Sequence, residues 1–150
     1  MPTINNVFSS DGLLAGAIKG FVPREAQTEM AKAVKRAIDT TGSLIVEAGT
    51  GTGKTFAYLA PALLSDGKAI VSTGTKNLQE QLFHRDLPLV KKALGSKRKT
   101  ALLKGRSNYL CLHRVAQHSG NSTLVEKDVL GQLSEVKRWS STTKTGDMGE

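Results

Sequence analysis

Eight consecutive residues constrain this chain more than any other feature: Ala48-Gly49-Thr50-Gly51-Thr52-Gly53-Lys54-Thr55. The spacing is that of a phosphate loop, with alanine where the first glycine commonly stands. A triphosphate needs many hydrogen-bond donors at close range. Gly51 and Gly53 let backbone N–H groups turn inward without a Cβ clash. A helix beginning near Gly53 adds its positive N-terminal dipole. Lys54 reaches the β and γ phosphates as a flexible point charge. Thr55 offers a hydroxyl to Mg²⁺. The plain alternative is a flexible glycine turn joining a strand to a helix.

The flanking pattern favours the phosphate loop. Ser43-Leu44-Ile45-Val46-Glu47 before it is a short β-branched run, which predicts a buried strand. Residues 56–64 after it predict a helix, with Pro61 as a kink or a late-turn irregularity. Upstream, Ala26, Met30, Ala33, Val34, Ala37 and Ile38 recur at three and four, an apolar helical stripe. Pro23 fits its first turn and Gly42 its exit. Residues 68–73 and 100–103 predict further strands. Asn77 to about Leu87 predicts a helix that Pro88 ends. Residues 1–22 are mixed, with Gly12, Gly16 and Gly20 breaking any helix into short pieces. This rhythm is that of an α/β fold, a parallel sheet with crossover helices. After Gly105 it fades. Residues 124–139 fit an amphipathic helix on which Trp139 packs. The Gly/Ser/Thr-rich tail 140–150 reads as disordered, or as a loop cut before its next element.

Composition narrows the class. The chain has 150 residues, one cysteine and a net charge of +8 from 21 Lys+Arg against 13 Asp+Glu. One cysteine excludes an internal disulfide and a site built from several of its own thiolates. No apolar run approaches the ~20 residues of a membrane span, and residues 1–6 lack the pattern of a signal peptide. A soluble cytoplasmic protein is expected, with no membrane partner. The basic excess favours an anionic partner such as nucleic acid. Lys91, Lys92, Lys97, Arg98, Lys99, Lys104 and Arg106 hold much of it with no acid between the ends. That stretch reads equally as a guide for DNA phosphates or as a solvated helix end and loop. His84, His113 and His118 show no metal-ligand spacing, so surface positions are expected for them.

Four segments in order carry a family resemblance. They are residues 21–27 (Phe-Val-Pro-Arg-Glu-Ala-Gln), 47–55, 70–82 (Ile-Val-Ser-Thr-Gly-Thr-Lys-Asn-Leu-Gln-Glu-Gln-Leu) and 103–111 (Leu-Lys-Gly-Arg-Ser-Asn-Tyr-Leu-Cys). Together they resemble the DinG/XPD group of superfamily-two DNA helicases, in its bacterial DinG-like branch, from about Phe21 to Arg114. The resemblance implies a RecA-like domain that hydrolyses ATP with Mg²⁺ and moves 5′ to 3′ along single-stranded DNA. A replication or repair protein is a further expected partner. It implies that Arg24 and Gln27 contact the nucleotide base region, where Gln27 has the amide to pair with an adenine edge. Ala48 to Thr55 would hold the phosphates, with Lys54 and Thr55 as the catalytic pair. Thr73 and Thr75 would touch the DNA backbone; plain capping of the next helix by Thr75 is the alternative, and the two can coexist. Lys104 and Arg106 would follow the DNA. Cys111 matches the first of four cysteines holding a [4Fe–4S] cluster. Taken on this chain alone, it reads as a buried or merely unreactive thiol.

The family carries its water-polarising carboxylates as Asp-Glu-Ala-His, and no such string occurs between Thr55 and Glu150. A second RecA-like domain and three cluster cysteines are also missing. The expectation is an N-terminal portion of a longer helicase: segment 1–22, the first part of the ATP-binding domain over 23–105, and the start of an iron–sulfur-type insertion with a polar tail over 106–150. The sheet should be incomplete at its C-terminal side and the portion inactive alone. The alternative is a non-enzymatic remnant that binds nucleotide, DNA or a partner protein.

Overall fold

Gly12 separates two short helices at the start of the chain, but Gly16 lies inside the second of them and does not break it. In a computed structural model that describes residues 2–120 and 127–149, α1 (Ile4–Phe8) and α2 (Leu13–Ala17) are short helices. The Thr3 hydroxyl caps α1 by accepting the Asn6 N–H at 3.2 Å. Gly12 starts α2 where a Cβ would stand 2.2 Å from the Asn6 carbonyl oxygen, so only glycine passes. The described chain falls into two compact units, Met1–Ala101 and Leu102–Glu150.

The core of the first unit is helical. Helix α3 (Glu25–Asp39) lies against α4 (Lys54–Leu64). Val7, Phe8, Leu14, Ala31, Ala57, Leu59, Ala60 and Val90 form the buried centre. Pro23 lies two residues ahead of α3 rather than in its first turn. The exit is tied by the Gly42 N–H to the Ala37 carbonyl at 2.8 Å, yet the left-handed residue there is Thr41, at φ 50°, not glycine. Pro61 sits inside α4, fully buried, and leaves one helix carbonyl, that of Ala57, without its usual N–H partner.

Pro88 does not end the next helix. Helix α5 (Lys76–Gln81) passes through a π-helical turn, Leu82–Asp86, into α6 (Leu87–Leu94), with Pro88 in the first turn of α6. Proline cannot donate and its ring collides with the carbonyl four residues back. The wider turn, in which the Leu87 N–H reaches the Leu82 carbonyl, absorbs that mismatch. Helix α6 ends at Gly95, whose φ of 61° suits glycine. Arg98 then covers the exit of α4, donating to the carbonyls of Ala62 (3.0 Å), Ser65 and Gly67. A guanidinium over these otherwise orphan carbonyls stabilises the negative end of the helix.

The parallel sheet is not observed. Segments 43–47, 68–73 and 100–103 form no strand, and the β pairing among the described residues is one antiparallel bridge, Tyr109 to Asp147. A parallel strand is paired along its edges and buried on both faces. Here Ile45 is 99% and Ile70 97% exposed. The helical stripe is correspondingly uncovered. Met30, Val34, Ala37 and Ile38 line an open groove with Leu44 and Val46. A second groove, of about 900 Å³, is lined by α3, α4 and residues 64–74.

In the second unit, a 3₁₀ turn (Arg106–Asn108) leads to α7 (Leu112–Gly120), which packs with α8 (Lys127–Ser140). The expected helix over 124–139 has its first three positions outside the described residues. Trp139 is half-buried on α8. The tail is not disordered over 140–149. Leu110 N–H donates to Gly146 O at 2.8 Å and Met148 N–H to Asn108 O at 2.9 Å. Threonine hydroxyls fold the turn: Thr143 accepts the Gly146 N–H at 2.8 Å and Thr145 the Asp147 N–H at 3.0 Å. A polar sequence thus supplies its own turn hydrogen bonds. No helix among the described residues is long and apolar enough to cross a membrane.

Candidate phosphate-binding site

The loop from Ala48 to Gly53 opens directly into α4. Gly51 and Gly53 have φ of 76° and 81°, the left-handed region that the motif's glycines were expected to supply. A Cβ at Gly49 or Gly51 would meet nothing within 4 Å, so the loop presents bare backbone to its open side. Lys54 is the first residue of α4 and half-buried. Its ammonium folds over the loop and donates to the carbonyls of Ala48 at 2.6 Å and Gly49 at 2.5 Å. The Thr52 hydroxyl also donates to Gly49 O, at 3.0 Å. The loop therefore curls around the lysine.

Thr55 lies one residue further, with a side-chain hydrogen bond to Tyr58. Burial pushes the Tyr58 phenol above its usual range, the Thr55 bond draws it back, and the nearby Asp86 charge raises it again. The Tyr58 phenol oxygen sits beside the hydroxyl expected to meet Mg²⁺. Sequence reasoning missed Tyr58, though its spacing of three from Thr55 puts both on one helix face. It also missed Asp86, a carboxylate only 4% exposed that pairs with Arg85 Nε at 2.8 Å.

Arg24 and Gln27 come to the loop from the start of α3. Arg24 donates through Nη1 to the Gly51 carbonyl, and Gln27 through Nε2 to the Gly53 carbonyl at 2.9 Å. The structure thus brings together Arg24, Gln27, Lys54, Thr55 and the loop from Ala48 through Thr50 and Thr52 to Gly53.

The other expected site residues belong to later segments of the chain. Thr75 caps α5, accepting the Leu78 N–H at 3.3 Å, and the Thr73 hydroxyl donates to Thr75 O at 3.2 Å. Of the seven residues in the basic stretch, three are internally engaged. Lys91 donates to Arg98 O at 2.6 Å, Arg98 covers the end of α4, and Lys104 pairs with Asp147 at 2.6 Å. Lys92, Lys97, Lys99 and Arg106 are exposed. Cys111 is exposed at the start of α7. Among the described residues no group of three or more His, Cys, Asp or Glu is placed to hold a metal ion. His84, His113 and His118 are all exposed, and His84 meets Glu80 at 3.0 Å.

A glycine loop with a lysine at the head of the following helix is the arrangement that the phosphate-loop pattern describes. Residues 24–138 match the DEAD/DEAH box helicase family, and the chain belongs to it. Membership implies a RecA-like α/β fold. Over 147 residues, 98% of its length, the chain is 59% identical to ATP-dependent DNA helicase YoaA of Haemophilus influenzae. It is 53% identical over 141 residues, 94% of its length, to the Escherichia coli protein of that name. It is 41% identical over 155 residues, 89% of its length, to ATP-dependent helicase DinG of Mycobacterium tuberculosis. It spans 23%, 22% and 23% of these three relatives respectively. No solved structure matches it.

Proposed function

We propose that this chain is the nucleotide-binding front portion of an ATP-dependent DNA helicase of the YoaA/DinG kind. The observation that carries the reading is the loop geometry: left-handed Gly51 and Gly53 leading into a helix headed by Lys54. The names of the relatives support ATP as the nucleotide and DNA as the track. In the reaction, water attacks the γ-phosphorus, the bond to the β–γ bridging oxygen breaks, and ADP and phosphate leave. Loop N–H groups and Lys54 hold the β and γ phosphates. Thr55 is the residue to hold Mg²⁺, which when bound neutralises charge on those phosphates. Residues 1–150 contain no Asp-Glu-Ala-His string, so the carboxylates that polarise the water are not among them.

Segments 43–47, 68–73 and 100–103 become strands of the RecA-like parallel sheet when the rest of a full-length protein supplies their neighbours. Their bare apolar faces and the short span of the relatives covered both support this. Single-stranded DNA, moved 5′ to 3′, is the expected track, with Thr73, Thr75 and Arg106 as contacts by family likeness. The support for Lys104 is weaker, because Asp147 already holds it. A [4Fe–4S] cluster takes four thiolates, and the single thiol of this chain, Cys111, does not make that site by itself. Titration of Mg-ATP into the full-length protein tests the loop. Lys54→Ala is expected to weaken binding by roughly ten- to a hundredfold, the scale of a lost charge-assisted hydrogen bond. Unchanged affinity would count against the assignment.

A further inference from the structure

The basic stretch after α6 is not a loose run of charge. Gly95 turns the chain out of the helix at φ 61°. The Ser96 N–H then donates to the Lys91 carbonyl at 2.9 Å, and the Arg98 N–H to the Ser96 hydroxyl at 3.4 Å. Lys91 Nζ donates to Arg98 O at 2.6 Å. From the other side, the Arg98 guanidinium donates to the carbonyls of Ala62, Ser65 and Gly67. Burial alternates along the segment. Arg98 is half-buried against the end of α4, while Lys97 and Lys99 on either side of it are exposed. Lys68, next to the Gly67 carbonyl that Arg98 holds, is exposed as well. Among the described residues none of these three lysines makes an ion pair. Residues 67–79 and 87–101 contain no Asp or Glu. Of the neighbouring carboxylates, Asp66 is exposed beside Gly67, Asp86 is buried and paired with Arg85, and Asp39 is held by Lys35 at 2.5 Å.

We propose that Lys68, Lys97 and Lys99 form a contact surface for the phosphate backbone of double-stranded DNA, apart from the single-strand track. Three features select that partner. The lysines stand on a loop already fixed by hydrogen bonds, so little ordering is lost on contact. Residues 65–69 and 90–100 contain no Phe, Tyr, Trp or His, so unpaired bases have nothing to stack on. A duplex, in contrast, displays one negative charge per about 1.7 Å and asks only for cations. The patch is also separate from the nucleotide: it sits at the C-terminal end of α4, roughly 15 Å from Lys54 at 1.5 Å per residue. This rests on the reading of the chain as part of a DNA helicase.

The test uses the full-length protein and two probes of equal length, a blunt duplex and a single strand, each titrated over a range of salt concentrations. The variant combines Lys68→Gln, Lys97→Gln and Lys99→Gln, and a control carries arginine at the same three positions. The expected result is duplex binding weakened roughly tenfold at low salt. The dependence of log affinity on log salt should become shallower by about 2–3, near 0.9 for each lost phosphate contact. Single-strand affinity, ATP hydrolysis stimulated by single-stranded DNA and the melting temperature should be unchanged, and the arginine control should bind as wild type does. Lys97→Gln alone, with a slope change of about 1, carries the comparison should the triple variant not fold. Unchanged duplex affinity and slope would overturn the inference, leaving the lysines solvated or facing a protein. Equal losses for duplex and single strand would overturn it in favour of the track. Loss only in step with the melting temperature, or a wild-type protein that binds the single strand but not the duplex, would overturn it too. A wild-type protein that binds neither probe would instead sink the DNA-helicase reading itself, and the inference with it.

Discussion

Single side chains show most clearly where sequence reading stops. Lys54 and the two left-handed glycines were legible because the loop is local: its chemistry is written within eight residues. Lys104 was not, because its partner Asp147 is far along the chain and nothing local announces the pairing. Both side chains are largely withdrawn from water, and removing one partner leaves the other charge poorly solvated. Asp147→Ala is expected to cost about 1–3 kcal/mol locally and to speed amide exchange at Leu110 and Met148, whose N–H groups bond across that turn. Exchange at the wild-type rate would mean the pair contributes nothing. Arg98 is a similar case. In the sequence it is one base in a run, yet it covers the carbonyls at the end of α4. Arg98→Ala is expected to lower stability by about 1–2 kcal/mol, seen as a reduced melting temperature, through loss of charge-assisted bonds at a helix end.

Among the elements, α3, α4 and α8 followed from the sequence pattern, α6 and α7 did not, and the strands did not form from composition alone. The stripe on α3 was enough to place that helix, because helix hydrogen bonds close within the element, whereas α6 was not foreseen. A strand's bonds go to a neighbour, so a β-branched run such as 43–47 describes a need and not its fulfilment. Pro88 was misread as a stop for the same local reason: a widened turn accommodates it without ending the helix. Gly95→Ala is expected to cost about 1 kcal/mol, since φ at this position is 61°. If residues 43–47 and 68–73 are strands awaiting neighbours, their amides should exchange fast in residues 1–150 alone and slowly in the full-length protein. Equal, fast exchange in both would rule out the sheet proposed for them.

For the whole molecule, family membership and the phosphate loop converge, and the uncovered apolar segments accord with a chain spanning about a quarter of its relatives. The tail ran against expectation, since its threonines and Asp147 fold it onto residues 108–110. Expressed alone, residues 1–150 are expected to show no DNA-stimulated ATP hydrolysis, because the water-polarising carboxylates are not among them. Robust turnover by that piece would mean another carboxylate serves. The most direct test of the account as a whole is ATP hydrolysis by the full-length protein, measured with and without single-stranded DNA, for wild type and Lys54→Ala. Turnover that rises with DNA and disappears in the variant is expected. Turnover that ignores DNA, or that survives the loss of Lys54, would contradict it.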